Sequence, residues 1–174
     1  MGVAQEMINL LILAKKLLDD PKAHFLLIGD GSEVKKIKQY IAQENLKNVT
    51  ILPGVSQAEF YGILSESDIG LICLARDLSV QNIPGKFLSY LHAGLPTLAS
   101  LNLDNDLLQI IEEKRVGLSV ISGDDDLLLR HAKTLIHNSC EREIFSRNSR
   151  GLIEGLFAVK KAAKTIIESL EKTS

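Results

Sequence analysis

The stretch I-P-G-K-F-L-S-Y-L-H-A-G-L-P-T-L-A-S, residues 83–100, changes from a loop to a helix and then to a strand. Pro84 suits a helix start, where the backbone needs no donor from that nitrogen. Gly94 and Pro96 are typical of the point where a helix stops. The apolar residues that follow are typical of a strand buried in a parallel sheet. The stretch therefore predicts a helix over Gly85–Ala93 and a strand over Thr97–Ser100.

The same alternation continues on both sides of this stretch. Continuous apolar runs predict strands over residues 23–28, 48–52, 67–74 and 117–121. Helical spacing and capping residues predict helices over residues 3–18, 106–114 and 124–137. Two other helices are predicted to begin at residues 31–32 and at residue 56. Two more follow residue 137, the last over residues 152–170. Strands separated by helices predict a Rossmann-like α/β domain with three layers, a parallel sheet and a helical C-terminal tail.

The amino-acid composition restricts the classes of function that the chain could have. The 174 residues are 45% hydrophobic and 24% charged, which suits one domain over residues 1–174. A net charge of −2 without a basic cluster argues against a nucleic-acid partner. Cys73 and Cys140 show neither metal nor disulfide spacing, which favours the reducing cytoplasm. The four histidines share no metal spacing either, so we expect no metal site. The apolar run Met7–Leu18 is too short and too polar to span a bilayer.

Ligands of parallel sheets bind beyond the carboxyl ends of the strands, which makes the loops at those ends the candidate sites. Gly29-Asp30-Gly31 follows a predicted strand and opens a helix. Glycines there let a ligand approach the backbone, and a helix start favours an anion. A tight strand-to-helix turn explains these residues equally well, because no third glycine follows near Val34.

The loop Ile83-Pro84-Gly85-Lys86 is the better candidate. We expect the backbone N–H groups of Gly85, Lys86 and Phe87 to point out of the helix start. Gly85 has no side chain to block a ligand, and Lys86 adds a mobile positive charge. Together these features suit a diphosphate. The alternative is an ordinary helix start with a solvated lysine.

Six segments in order resemble the C-terminal, donor-binding domain of the GT-B-fold glycosyltransferases of group 1 (family 4). They are M-G-V-A-Q, F-L-L-I-G-D-G, N-V-T-I-L-P-G-V-S-Q-A-E-F, S-D-I-G-L-I-C-L, I-P-G-K-F-L-S-Y-L-H-A-G-L-P-T-L-A-S and R-V-G-L-S-V. The fifth is similar to the pattern P-S-K-x-x-E-Y-x-x-x-G-x-P of a branch that makes surface polysaccharides. The resemblance implies half of a GT-B fold. It also implies transfer of a hexosyl group from a nucleoside diphosphate sugar in polysaccharide or lipopolysaccharide synthesis, with no cofactor and no metal.

The resemblance also implies roles for residues of the donor site. Val55 and Ser56 would lie against the nucleotide base. The loop 83–86 would hold the diphosphate, as its residues already suggest. Gly29 and Gly31 would line the cleft between the two domains of the enzyme.

Two positions depart from the family pattern. The family usually has two glutamates eight positions apart, one near the donor sugar and one on the ribose hydroxyls. Here the first position is Gln81 and the second is Ser89. Gln81 can still hydrogen-bond a sugar, whereas Ser89 is short and would reach a ribose through water. We therefore expect weak donor binding or a degenerate site.

The start of the chain departs as well, because the family domain opens with a central strand before M-G-V-A-Q. We therefore expect a domain truncated at its first strand, without the N-terminal acceptor-binding domain, and inactive alone. Any membrane contact of this cytoplasmic protein would come through that missing half. A gap in a sheet leaves unpaired backbone groups. We expect the flanking strands to close together, or a second copy or the tail to fill the gap; a six-stranded sheet within one chain would contradict this.

Two other functions stay open. The chain could be a degenerate, non-catalytic nucleotide-binding or partner-subunit module, and glutamates restored at positions 81 and 89 would then give no gain in donor binding. A sugar-nucleotide epimerase shares the GT-B architecture, but it needs catalytic carboxylates and a histidine in loops where this sequence offers none.

Overall fold

The structure is a computed structural model that describes residues 7–76 and 83–156. Helices and strands alternate along these residues, as the sequence predicts. The helices are α1 (Met7–Lys16), α2 (Val34–Gln43), α3 (Gln57–Ser65), α4 (Gly85–Ala93), α5 (Asp106–Lys114), α6 (Asp125–His137) and α7 (Ser139–Leu156). The strands are β1 (Phe25–Ile28), β2 (Val49–Leu52), β3 (Gly70–Cys73), β4 (Thr97–Leu101) and β5 (Gly117–Ile121). No helix among the described residues is long and apolar enough to cross a membrane.

The described strands form two parallel sheets. β1 pairs with β2, and β4 lies between β3 and β5. The two sheets are separate, and a cavity is lined by residues of both β1 and β3. The expectation that the flanking strands close on each other is wrong, because β1 and β3 share no ladder. The C-terminal tail is another segment that is expected to be able to fill the gap. Its residues 157–174 lie outside the described part.

Helices cover both faces of the three-stranded sheet. Alternate strand residues enter two different apolar clusters. Leu98 packs in the cluster that contains α1 and α6, whereas Ala99 packs in the cluster that contains α4 and α5. Burial on both faces explains why these strands read as continuous apolar runs. The three-layer architecture that the alternation predicts is therefore confirmed.

Helix α7 differs from the prediction. The sequence predicts a separate helix beginning at Leu152, but α7 runs without a break through that residue. The reason is a buried stripe of Phe145, Ser149 and Leu152, whose spacing keeps one helical face against the core. The remainder of that predicted helix, residues 157–170, and residues 3–6 of the first predicted helix lie outside the described residues.

Candidate functional site

The loops after β1 and β2 are joined by a side chain. Gly29 and Gly31 have φ angles of 125° and 140°, a region that favours glycine over residues with a Cβ. Between them, Asp30 accepts a hydrogen bond at Oδ2 from the backbone N–H of Gly54, 3.1 Å away. The sequence pattern alone assigns no role to Asp30. Its place between two glycines is the sequence signal that its carboxylate could turn towards the neighbouring loop.

Ser56 begins α3 through the predicted capping box. Its hydroxyl donates to Oε2 of Glu59 over 2.6 Å and accepts from the backbone N–H of Glu59 over 3.3 Å. The Ser56 backbone N–H donates to the same carboxylate over 2.8 Å. These hydrogen bonds lower the pKa of Glu59, the hydroxyl contributing more than the backbone. They leave the Ser56 hydroxyl one lone pair for a ligand. Val55, half-buried, precedes it.

The loop between β3 and α4 is open at its glycine. Pro84 is extended, with φ −60° and ψ 134°, and α4 begins directly after it. Gly85 is exposed, and nothing lies within 4 Å of the position where a Cβ would stand. The expectation of three outward N–H groups is wrong for Phe87, whose N–H donates to the Pro84 carbonyl over 2.9 Å. First-turn N–H groups have no partner within their own helix, which applies to Gly85 and Lys86.

Lys86 is not the solvated lysine of an ordinary helix start. It is half-buried and lines a cavity of about 910 Å³ between β1 and β3. Burial lowers the pKa of the Lys86 ammonium, and the nearby Cys73 side chain acts in the opposite direction. A lysine that is partly desolvated gains more from a bound anion than one already surrounded by water.

Tyr90, one helical turn beyond Lys86, lines the same cavity. Its hydroxyl donates to the backbone carbonyl of Leu71 on β3 over 3.1 Å. Burial raises the pKa of Tyr90 to about 12, so this hydroxyl keeps its proton at neutral pH. The sequence pattern does not single out Tyr90, because only the fold shows that this side chain faces a strand edge.

The candidate residues therefore fall into two groups. Those of the loops after β1 and β2 lie on the two-stranded sheet, and those of residues 83–86 lie on the three-stranded sheet. Ser89 is half-buried within α4, and Gln81 lies outside the described residues. No group of three or more histidine, cysteine, aspartate or glutamate side chains in residues 7–76 and 83–156 could hold a metal ion.

A family model described as glycosyl transferases group 1 matches residues 3–152. The chain therefore belongs to the group 1 glycosyltransferase family. A curated relative, the probable glycosyltransferase WbjE of Pseudomonas aeruginosa, is 26% identical over 136 residues. This alignment covers 78% of the chain and 33% of WbjE. The chain thus spans about a third of that relative's length.

Solved structures of other proteins have the same fold as this chain. Anabaena HepE in complex with UDP-glucose gives a TM-score of 0.81 at 17% identity, covering 99% of this chain and 46% of HepE. The C-terminal domain of LpcC, a glycosyl transferase group 1 family protein from Francisella tularensis, gives a TM-score of 0.72 at 15% identity. That match covers 91% of this chain and 83% of the LpcC domain. The α/β fold expected from the sequence is confirmed.

Proposed function

We propose that this chain is the donor-binding half of a glycosyltransferase that moves a hexosyl group from a nucleoside diphosphate sugar to a surface polysaccharide or lipopolysaccharide. The observation that carries the proposal is the open start of α4, where Gly85 leaves room for a ligand and Lys86 belongs to the same turn. Family membership and the UDP-glucose bound by the similar HepE support the choice of donor.

The proposed chemistry relies on position and charge. The first-turn N–H groups and the positive end of the α4 dipole would stabilise the diphosphate, with Lys86 adding charge. These interactions matter most as the diphosphate leaves, because negative charge then grows on it. Val55 and Ser56 would contact the base, and Gly29 and Gly31 would line the cleft. Neither a metal nor a cofactor enters this proposal.

The acceptor belongs to another part of the enzyme in this proposal. The chain spans 46% of HepE and 33% of WbjE. An N-terminal domain would bind the acceptor and close over the donor, and it would also make any contact with a membrane. We therefore expect this chain alone to bind a nucleotide without transferring sugar.

Calorimetric titration with UDP and GDP tests the proposal. One nucleotide should bind saturably, and Lys86→Ala should weaken it about tenfold, the loss expected for a charge-assisted contact of roughly 1.5 kcal/mol. Lys114→Ala is the matched control, because Lys114 is an exposed lysine in the last turn of α5, at the other end of the strands. Equal affinities for both variants, or no binding of either nucleotide at millimolar concentration, would contradict the proposal.

A degenerate, non-catalytic module is the second candidate. It is favoured by the short side chain of Ser89 and by the half-buried position of Lys86 inside the cavity. Ser89→Glu combined with Gln81→Glu separates the two. An active donor site gains affinity for UDP-glucose, because a carboxylate at position 89 can accept from the ribose hydroxyls and one at position 81 can act beside the sugar. A degenerate module gains none.

A further inference from the structure

The loops after β1 and β2 stay linked beyond the point where their strands stop pairing. The last ladder bond between them runs from the Gly29 N–H to the Leu52 carbonyl over 3.1 Å. Beyond it, the Gly54 N–H donates to Oδ2 of Asp30, also over 3.1 Å. The Asp30 side chain therefore takes over where the backbone ladder ends, and it joins two residues that are 24 positions apart in sequence.

This contact requires a glycine at position 54. A Cβ built there would lie 2.9 Å from Oδ2 of Asp30, closer than real Cβ atoms come to another heavy atom. Apart from the chain neighbours of Gly54, no atom of another described residue lies within 4 Å of that Cβ position. The φ angle of Gly54 is not in the left-handed region, so alanine could adopt this backbone conformation. The steric demand for glycine thus comes from the Asp30 carboxylate.

The loop 53–56 has few backbone donors left for a ligand. Pro53 has no N–H, and the Gly54 N–H is taken by the aspartate. The Ser56 N–H donates to the carboxylate of its own capping box over 2.8 Å. The Val55 N–H has no acceptor among the described residues. It is therefore the backbone donor of this loop that a ligand can use.

Gly54 sets the direction in which that donor points. The Val55 N–H lies in the planar peptide unit that contains the Gly54 carbonyl, so it turns whenever the dihedral angles of Gly54 change. Glycine has more conformational freedom than any other residue. The hydrogen bond to Asp30 restrains the peptide unit on the other side of Gly54 and limits this freedom. The orientation of the Val55 N–H therefore depends on Asp30.

We propose that Asp30 is a positioning residue for recognition of the nucleotide base: it holds Gly54 so that the Val55 N–H faces the polar edge of the base. Bases carry carbonyl oxygens and ring nitrogens on their edges, and these accept from such a donor. Asp30 acts through Gly54 and need not touch the nucleotide. The inference rests on the proposed function, because it takes the base to lie at the loop 53–56 and the diphosphate at the loop 83–86.

Asp30→Ala tests the proposal with two ligands: the nucleotide, UDP or GDP, that the unchanged chain binds, and inorganic pyrophosphate as its competitor. The nucleotide should bind about five- to tenfold more weakly, the loss that one ordinary hydrogen bond corresponds to, because the freed Gly54 lets the Val55 donor turn away. Pyrophosphate has no base, so its affinity should change less than about twofold. Asp19→Ala is the matched control, because Asp19 is an exposed aspartate before β1, at the opposite end of that strand.

Two further variants separate the hydrogen bond from the charge. Asp30→Asn keeps an oxygen acceptor for the Gly54 N–H but removes the charge, so it should bind the nucleotide within about twofold of the unchanged chain. Gly54→Ala should weaken binding about as much as Asp30→Ala, because its methyl group displaces the same carboxylate. The double variant should lose no more than either single variant, since both changes break one contact.

Three results would overturn this inference alone. They are a loss in Asp30→Asn as large as in Asp30→Ala, equal losses for the nucleotide and for pyrophosphate, and additive losses in the double variant. The first would mean that charge acts and the hydrogen bond does not, and the second that Asp30 affects the whole site. An unchanged chain that binds neither UDP nor GDP would overturn the proposed function as well.

Discussion

The two half-sheets differ in how completely they are buried. β4, with a strand on each side, is buried at all five positions. β1, with β2 on one side and the cavity on the other, leaves Leu26 38% exposed. Burial in this fold therefore depends on ladder partners on both sides of a strand as well as on the covering helices. The proposed diphosphate loop therefore belongs to the better-buried three-stranded sheet. The loops after β1 and β2 belong to the less buried two-stranded sheet.

The largest expected effect compares one core residue from each half. Phe87 is fully buried against the three-stranded sheet, so Phe87→Ala should lower the free energy of unfolding by about 3–5 kcal/mol. Leu26→Ala should cost less than about 1 kcal/mol, because Leu26 is already partly exposed. Urea unfolding of both variants measures the difference. Losses of similar size would show that the two halves are equally well packed.

An intermediate loss of stability is expected when a helix cap is removed, and each half offers one such cap. Asn105 is buried and accepts from the Leu107 N–H over 3.1 Å, so Asn105→Ala should cost about 1–2 kcal/mol. Ser56 caps α3 at the surface, and Ser56→Ala should cost about 0.5–1 kcal/mol. Thermal unfolding checks the order of the two losses. A larger loss for Ser56 would mean that the two-stranded half depends on its loops more than its burial suggests.

The smallest expected effects are on the pH dependence of stability, on the acid side for Glu59 and on the alkaline side for Lys86. The pKa of Glu59 is lowered by Ser56, so its stabilising contribution is present at neutral pH and disappears as pH falls through that lowered pKa. Glu59→Gln should therefore flatten the acid side of the stability curve. Burial lowers the pKa of Lys86 because it disfavours the charged form. The cost of burying the charged lysine is therefore present at neutral pH, and it disappears as pH rises from that lowered pKa to above 10.5. Lys86→Met should flatten the alkaline side.

Denaturation midpoints measured across pH separate these two effects. Gln57, next to Ser56 and exposed, offers Gln57→Ala as a neutral control for the first variant. Lys114→Met is the matched control for the second. An unchanged alkaline limb in Lys86→Met would mean that the lysine is solvated after all.

Sequence signals located most elements because their ends carry local chemistry. α4 has the predicted bounds, since Pro84 precedes it and Gly94 closes it in a left-handed conformation, φ 71°. The capping box of Ser56 and Glu59 is also as predicted. The start of β3 was placed too early, at Ser67, because an apolar run does not show where ladder pairing begins.

The candidate site was harder to predict than the fold. Local sequence indicated which loops lie at the strand ends, but not that Asp30 joins two of them. It also did not indicate that Lys86 lines a cavity, because this depends on what lies between β1 and β3. Such relationships join residues distant in sequence, and no local pattern encodes them.

The most direct test of the account is a map of where UDP binds. Backbone N–H resonances of isotope-labelled protein are followed as UDP is added. We expect shifts in both halves, at the loops 29–31, 55–56 and 83–89, with the largest at Gly85 and Lys86. Shifts confined to α6 and α7, or spread along the cavity edge at Leu26 and Leu71 without the 83–86 loop, would contradict a donor site at the start of α4.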